Sequence, residues 1–281
     1  MADYSWAVPV MRTGYAGRGV TYLAVAGLSL WAIFRGGDAQ GTGSALRTLG
    51  TEPWGVVVLW LVAIGLFSYA VWRGIDAIED LEDYGSDAKG LISRAGMIVT
   101  GLIHGAIAGL ALSIVFGQSS SGGGGGGGDG VSKAVGAVLE WPGGRWIVGI
   151  AALCTLGAGV YYAVKGFKST YRKHLQANEA TRRYDGLLRA GVIANAVIIL
   201  IIGGFLGRAA MADSEAQAGG IGKAFDWLAG QPFGNVLVVA VCVGLLLFAV
   251  FCFVNAAYRI VPKAQGDEVE TLAKRLKAQV A

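Results

Sequence analysis

The chain has 281 residues, of which 54% are hydrophobic and only 15% are charged. A composition this apolar excludes an ordinary soluble domain and favours an integral membrane protein. The net charge of +4 does not indicate a nucleic-acid partner, because the basic residues are spread among the connections between apolar runs rather than gathered in one patch.

One pattern occurs three times along the chain. Each copy opens with an arginine followed two residues later by a glycine, and an apolar run and a polar segment come next. A proline followed two residues later by a glycine then starts a second apolar run. The openings are Arg12/Gly14, Arg94/Gly96 and Arg189/Gly191, and the proline–glycine pairs are Pro53/Gly55, Pro142/Gly144 and Pro232/Gly234. This repetition predicts a two-helix hairpin present in three copies.

The apolar runs are close to the roughly 20 residues that a helix needs to cross a bilayer. We therefore predict an all-α polytopic membrane protein, with six transmembrane helices in three hairpins about a pseudo-threefold axis. The first repeat covers residues 10–84, with spans at 14–34 and 55–73. The second covers residues 90–175, with spans at 95–117 and 145–165. The third covers residues 187–261, with spans at 190–207 and 233–257.

Three further segments have recognisable patterns. The residues before each proline have apolar side chains at helical spacing, which predicts short helices in the membrane interface. The glycine-rich segment 119–128 predicts a flexible loop. Residues 263–281 predict an amphipathic tail helix, with Asp267 and Glu270 as a capping box. Its apolar stripe consists of Val269, Leu272, Leu276 and Val280.

The basic residues also predict an orientation. The side that holds both termini carries 17 of the 23 lysines and arginines, and the opposite side carries 6. The positive-inside rule therefore places the N- and C-termini in the cytoplasm.

Two sets of repeated residues have simple expected roles. The opening arginines lie where spans enter the membrane, which predicts contact with lipid headgroups. A glycine followed four residues later by an aromatic residue predicts close packing of each second span against the first spans of the hairpins. The headgroup residues are Arg12, Arg94 and Arg189, and the packing pairs are Gly65/Tyr69, Gly157/Tyr161 and Gly244/Phe248.

Several polar residues lie inside the predicted spans, where such side chains are costly. Arg18, Thr100 and Asn195 each follow a repeat arginine by six residues, and Tyr22 and His104 lie one turn deeper. Hairpins around a common axis would bring these residues into a polar layer. One interpretation is a pathway with Arg18 as an anion contact and His104 as a titratable gate. The other is that these side chains bond neighbouring helices while Arg18 extends towards the headgroups.

No catalytic, nucleotide-binding or metal-ligand motif accompanies these residues. The three cysteines fall inside spans without a paired spacing. We therefore predict a protein that is not an enzyme and that uses no cofactor or metal.

The motif set resembles the bacterial integral membrane family catalogued as Domain of Unknown Function 1206, over about residues 10–261. The first repeat carries the fullest version of the opening, from Arg12 to Gly19. The other repeats have Thr100 and Asn195 in place of Arg18, so a role of Arg18 does not extend to all three. The resemblance implies three two-helix repeats in the bacterial cytoplasmic membrane and implies no activity.

Two functions remain open at this point. The first is a non-enzymatic scaffold or envelope factor that acts through lipid or protein contacts. Its expected partners are anionic headgroups at the cytoplasmic face, with a membrane protein or a second copy as further candidates and nucleic acid excluded. The alternative is a transporter or channel for a small solute, an ion or protons, with a pathway along the pseudo-threefold axis.

Overall fold

A computed structural model describes residues 4–117, 130–265 and 271–278. In chain order the α-helices are α1 (Ala7–Phe34), α2 (Thr42–Thr51), α3 (Gly55–Glu79), α4 (Ala88–Val115), α5 (Gly130–Leu139), α6 (Gly144–Phe167), α7 (Glu179–Arg183), α8 (Asp185–Ala212), α9 (Ile221–Ala229), α10 (Gly234–Tyr258), α11 (Pro262–Gln265) and α12 (Leu272–Ala278). Six of them, α1, α3, α4, α6, α8 and α10, are long and apolar enough to span a membrane. The prediction of six transmembrane helices is confirmed.

The helices differ from the predicted spans mainly in length. Most extend past the apolar run at the end of the molecule where the first and last described residues lie, which we call the termini end. There α1 starts at Ala7 and α3 continues to Glu79. In the tail, α12 packs Leu272 against the connection between α6 and α8. The predicted loop at 119–128 and the tail residues Asp267, Val269, Glu270 and Val280 lie outside the described residues.

The six spans follow one another around a ring in chain order. Helix α1 packs against α3 and α10, α3 packs against α4, and α8 packs against both α6 and α10. The last and first parts of this ring are also brought together, because Tyr22 of α1 and Tyr162 of α6 pack against the same apolar cluster. This order of neighbours is that of three hairpins about a pseudo-threefold axis. Between α4 and α6, however, the described residues have no comparable interface.

The opposite end of the ring carries the short helices α2, α5 and α9, one in each hairpin. Helix α2 buries Ala45, Leu46 and Leu49, so its apolar face packs onto the spans. Each hairpin then turns through a glycine into its second span. A side chain at Gly55, Gly144 or Gly234 would collide with the backbone carbonyl oxygen of Leu49, Val138 or Ala229, respectively. The repeated proline–glycine pair therefore marks a corner that only glycine fits.

The hairpins of the first and third repeats close through small residues. A side chain at Gly65 would meet the backbone of Gly17, and one at Gly244 would meet Ala194. One turn further towards the termini end, the backbones at Tyr69 and Phe248 leave no room for a side chain at Gly14 or Gly191, respectively. Close approach of this kind supplies the van der Waals contact that holds helices together in lipid.

The second repeat differs, and here the expected packing is wrong. Gly157 has no atom near the position of a side chain, and Tyr161 is 51% exposed, whereas Tyr69 and Phe248 are fully buried. The position equivalent to Gly17 and Ala194 is Val99. Its branched side chain prevents the backbone approach that the other two hairpins use. The structure therefore leaves a lateral opening between α4 and α6, which we call the α4–α6 opening.

We expect Gly65→Ala to lower the stability of the folded protein by about 1–3 kcal/mol, because the added methyl group overpacks the crossing with Gly17. Gly157→Ala is the matched control at the equivalent position. Its methyl group meets open space, and alanine favours a helix interior over glycine by roughly 0.5–1 kcal/mol. Reversible unfolding in mixed detergent measures both changes. Equal losses of stability would show that the second hairpin is closed.

Candidate functional site

The closed first hairpin holds a phenol oxygen between two arginines. The hydroxyl of Tyr69 on α3 accepts a hydrogen bond of 2.9 Å from Nη1 of Arg18 on α1. It accepts a second, of 3.0 Å, from Nε of Arg73, one turn along α3. All three side chains are buried. Two guanidinium groups thus share a neutral acceptor inside the ring.

Arg18 is surrounded by aromatic rings. Its guanidinium carbon lies 4.7 Å from the ring centre of Tyr69, 5.4 Å from Phe248 and 5.8 Å from Tyr22. Cation–π attraction stabilises a buried guanidinium in such a cage. The side chain is only 4% exposed, and its Nε has no hydrogen-bond partner among the described residues. One donor of this cation is therefore left unsatisfied.

The rest of the cluster, nearer the termini end, pairs its charges. Arg73 donates to a carboxylate oxygen of Asp76 at 3.2 Å. Arg259, which follows α10, donates two hydrogen bonds of 2.7 Å to the carboxylate of Glu82. Bidentate pairs of this kind combine strength with a fixed geometry. Arg259 also donates to Asn255 at 2.8 Å, so the cluster ties α10 to the segment that follows α3.

Two groups of this cluster outside the spans have shifted pKa values. Although burial opposes ionisation, Arg259 and Arg73 hold the pKa of Glu82 well below its usual range. Burial lowers the pKa of His174 to about 4, and the positive charge of Arg259 adds to this effect. His174 therefore stays neutral at physiological pH, next to the ring of Tyr84 at 6.4 Å between centres.

The structure brings together part of the predicted polar layer. His104 packs its ring 4.8 Å from that of Tyr69, which in turn bonds Arg18, and Tyr22 lies on the other side of Arg18. Thr100 instead donates to the carbonyl oxygen of Gly96 on its own helix. Asn195 is buried in α8, where its Nδ2 has no partner among the described residues.

The three opening arginines have different surroundings. Arg12 and Arg189 are exposed at the termini end. Arg94 donates hydrogen bonds of 2.6 and 2.8 Å to the carbonyl oxygens of Ala77 and Ile78, which caps the end of α3. Headgroup contact stays a prediction for all three.

Residues 13–80, 95–169 and 190–259 each match the family model described as Domain of Unknown Function (DUF1206). The three matches fall on the three hairpins α1–α3, α4–α6 and α8–α10, and together they cover most of the chain. The chain belongs to the DUF1206 family.

A curated relative is described as "Uncharacterized protein YxxB" of Bacillus subtilis (strain 168). It is 28% identical over 260 residues, which covers 90% of this chain and 92% of that protein. The alignment therefore takes in all three DUF1206 repeats of this chain. No solved structure matches the chain.

The ion pairs of the cluster were missing from the sequence prediction. Arg73 and Arg259 are among the 17 basic residues that predict the orientation, and Glu82 carries no prediction. One signal for the first pair was present, since Tyr69, Arg73 and Asp76 are spaced to share a helix face with Gly65. No local pattern connects Glu82 with Arg259, which lies 177 residues further on.

We expect Glu82→Gln to destabilise this DUF1206 protein by about 3–5 kcal/mol, because Arg259 would keep a buried charge without its partner. Asp83→Asn is the control, since Asp83 is exposed and adjacent. Unfolding in mixed detergent measures both. A similar small effect of the two variants would mean that the Glu82–Arg259 pair is not buried in the membrane-embedded protein.

We also expect acid to weaken the fold through His174. Its folded pKa of about 4 lies below the ordinary value of 6.5, so the unfolded chain takes up the proton first as the pH falls. Stability is therefore lost progressively from pH 6.5 towards 4, by up to about 3 kcal/mol. His174→Gln cannot titrate and should flatten the pH dependence above about 4.5, where Glu82 does not yet contribute. An unchanged slope in this variant would assign the effect to other groups.

Proposed function

We propose that this protein is a non-enzymatic component of the bacterial cytoplasmic membrane, with both termini in the cytoplasm, and that it acts by holding a membrane-embedded molecule at the α4–α6 opening. The observation that supports this proposal is the open second hairpin. Gly157 and Tyr161 occupy positions that are buried helix contacts in the other two repeats, yet they face open space. A surface shaped for helix contact and left uncovered is typical of an interaction site in a membrane protein.

The charged cluster supports a binding role over a purely structural one. A ring held together only by packing has no need for Arg18 in its interior, because an intramembrane cation is costly and is usually kept for a function. His104 belongs to α4, one of the two helices that border the opening, and it is partly exposed while its ring packs against that of Tyr69. A molecule at the opening would therefore meet both an apolar surface and these polar groups.

The test places a photo-crosslinking phenylalanine analogue at Tyr161 and irradiates cells that express the full chain. We expect one dominant adduct with a lipid class or a membrane protein, identified by mass spectrometry. The analogue at Phe248, the equivalent buried position, should crosslink only within the chain. The analogue at the exposed Val243 reports random contact with bulk lipid. A crosslink from position 161 to α4, or an adduct pattern equal to that at Val243, would contradict the proposal.

A pathway for a small solute or ion is the second candidate, and the partly exposed His104 inside the ring favours it. The aromatic cage of Arg18 argues against a continuous pore, since Tyr22, Tyr69 and Phe248 fill the space around the guanidinium. Flux assays in vesicles that contain the purified chain decide between the two. A flux that is altered by His104→Ala would favour the pathway. An absence of flux for protons, ions and small anions would exclude it.

A further inference from the structure

The second repeat carries a cation without the carboxylate that neutralises its equivalent. Aligning Tyr69 with Tyr161 places Arg73 opposite Lys165 and Asp76 opposite Lys168. In the first repeat Arg73 bonds Asp76, three residues further on. In the second repeat that position is a second lysine, and Lys165 forms no ion pair among the described residues.

Among the described residues, the interior of the ring therefore has an excess of positive charge. Four cations of the described part lie in or beside it, and two carboxylates face them. The cations are Arg18, Arg73, Lys165 and Arg259, and the carboxylates are Asp76 and Glu82. Arg73 and Arg259 use both carboxylates, so Arg18 and Lys165 have no carboxylate partner within the part of the chain that the structure describes. Uncompensated cations are expensive next to hydrocarbon, and this arrangement favours an anion that comes from outside the chain.

Lys165 lies on α6 beside the α4–α6 opening, whereas Arg18 lies inside the ring. The Nζ of Lys165 lies 5.8 Å from the ring centre of Tyr161 and 5.6 Å from that of Tyr162. Tyr162 packs against the same cluster as Tyr22, which forms one wall of the cage around Arg18. The Nε of Arg18, buried and without a partner, supplies a donor that no described residue uses. The rings of Tyr162 and Tyr22 thus connect Lys165 at the opening with Arg18 in the interior of the ring.

We propose that the α4–α6 opening binds the phosphate of an anionic phospholipid, with Lys165 as its ligand and the charge of the enclosed Arg18 adding to the attraction. This inference rests on the proposed function and names the molecule that is held. An ammonium group binds phosphate as a point charge. We commit to a lipid rather than free phosphate because the opening faces the bilayer sideways. Its apolar lining includes Val99 and Ile103, which are 53% and 54% exposed.

The repeat comparison supports an acyl chain as the second part of the ligand. The position of Ile103 is buried in the other repeats, where it is Thr21 or Ile198. The second hairpin thus exposes apolar residues one to two turns away from its unpaired lysine, towards the middle of the membrane. A lipid matches this order, since its phosphate lies above its chains.

The test measures lipids bound to the purified full chain by native mass spectrometry, with phosphatidylglycerol and phosphatidylcholine titrated separately. We expect phosphatidylglycerol to bind more tightly, and Lys165→Gln to weaken its binding about tenfold through the loss of a charge-assisted contact. Arg18→Lys keeps the interior charge, so it should weaken binding less than Lys165→Gln does. Lys168→Gln removes an exposed lysine three residues from Lys165 and should leave binding unchanged.

Three outcomes would overturn the inference. Equal binding of the two lipids would show that an anionic headgroup is not required. Equal losses of affinity in Lys165→Gln and Lys168→Gln would show that the lipid responds only to surface charge. Displacement of phosphatidylglycerol by excess inorganic phosphate would make the ligand a free anion. If headgroup preference fails while position 161 still gives a dominant photo-adduct, the proposed function stands with another occupant. If neither a headgroup preference nor a dominant photo-adduct is found, the inference and the proposed function are both wrong.

Discussion

The close backbone approach of two helices within a hairpin is the constraint on which the rest of this structure depends. Gly17 meets Gly65 in the first repeat, and Ala194 meets Gly244 in the third. Without a hydrophobic force between helices in lipid, small residues at such crossings decide which surfaces join. The crossing of the first hairpin places Tyr69 beside Arg18, and Arg73 donates to the same phenol oxygen. Where Val99 replaces the small residue, the hairpin stays open.

Three copies of one hairpin have thus diverged into unequal parts. The first copy carries the aromatic and charged residues of the cluster, and the third supplies Phe248, Asn255 and the partner of Glu82. The second contributes a lysine and an uncovered face. Repetition therefore provides the frame of the ring. Departures from it provide the chemistry, because Arg73 of the first repeat pairs with Asp76, while the second repeat has Lys168 at the position of Asp76.

The frame of this fold was readable from the sequence, and the cluster was only partly so. Apolar runs of spanning length and the repeated corner glycines, such as Gly55, predict helices and turns because both are local properties. Arg18, Tyr22 and His104 were also found, since polar residues in spans are conspicuous. The pairing of Glu82 with Arg259 depends on where two distant helix ends meet, which no periodicity encodes. The opening was missed because Gly157 and Tyr161 repeat the packing motif, and their helix partner carries Val99.

The Glu82–Arg259 pair also constrains how the protein is made. Glu82 is synthesised 177 residues before its partner, and at a rate of ~5–20 residues per second that interval lasts on the order of 10–35 s. The pair that joins α10 to the segment after α3 can therefore form only after the sixth span has been made. The contact that ties the last span of the ring to the first hairpin is thus a late one.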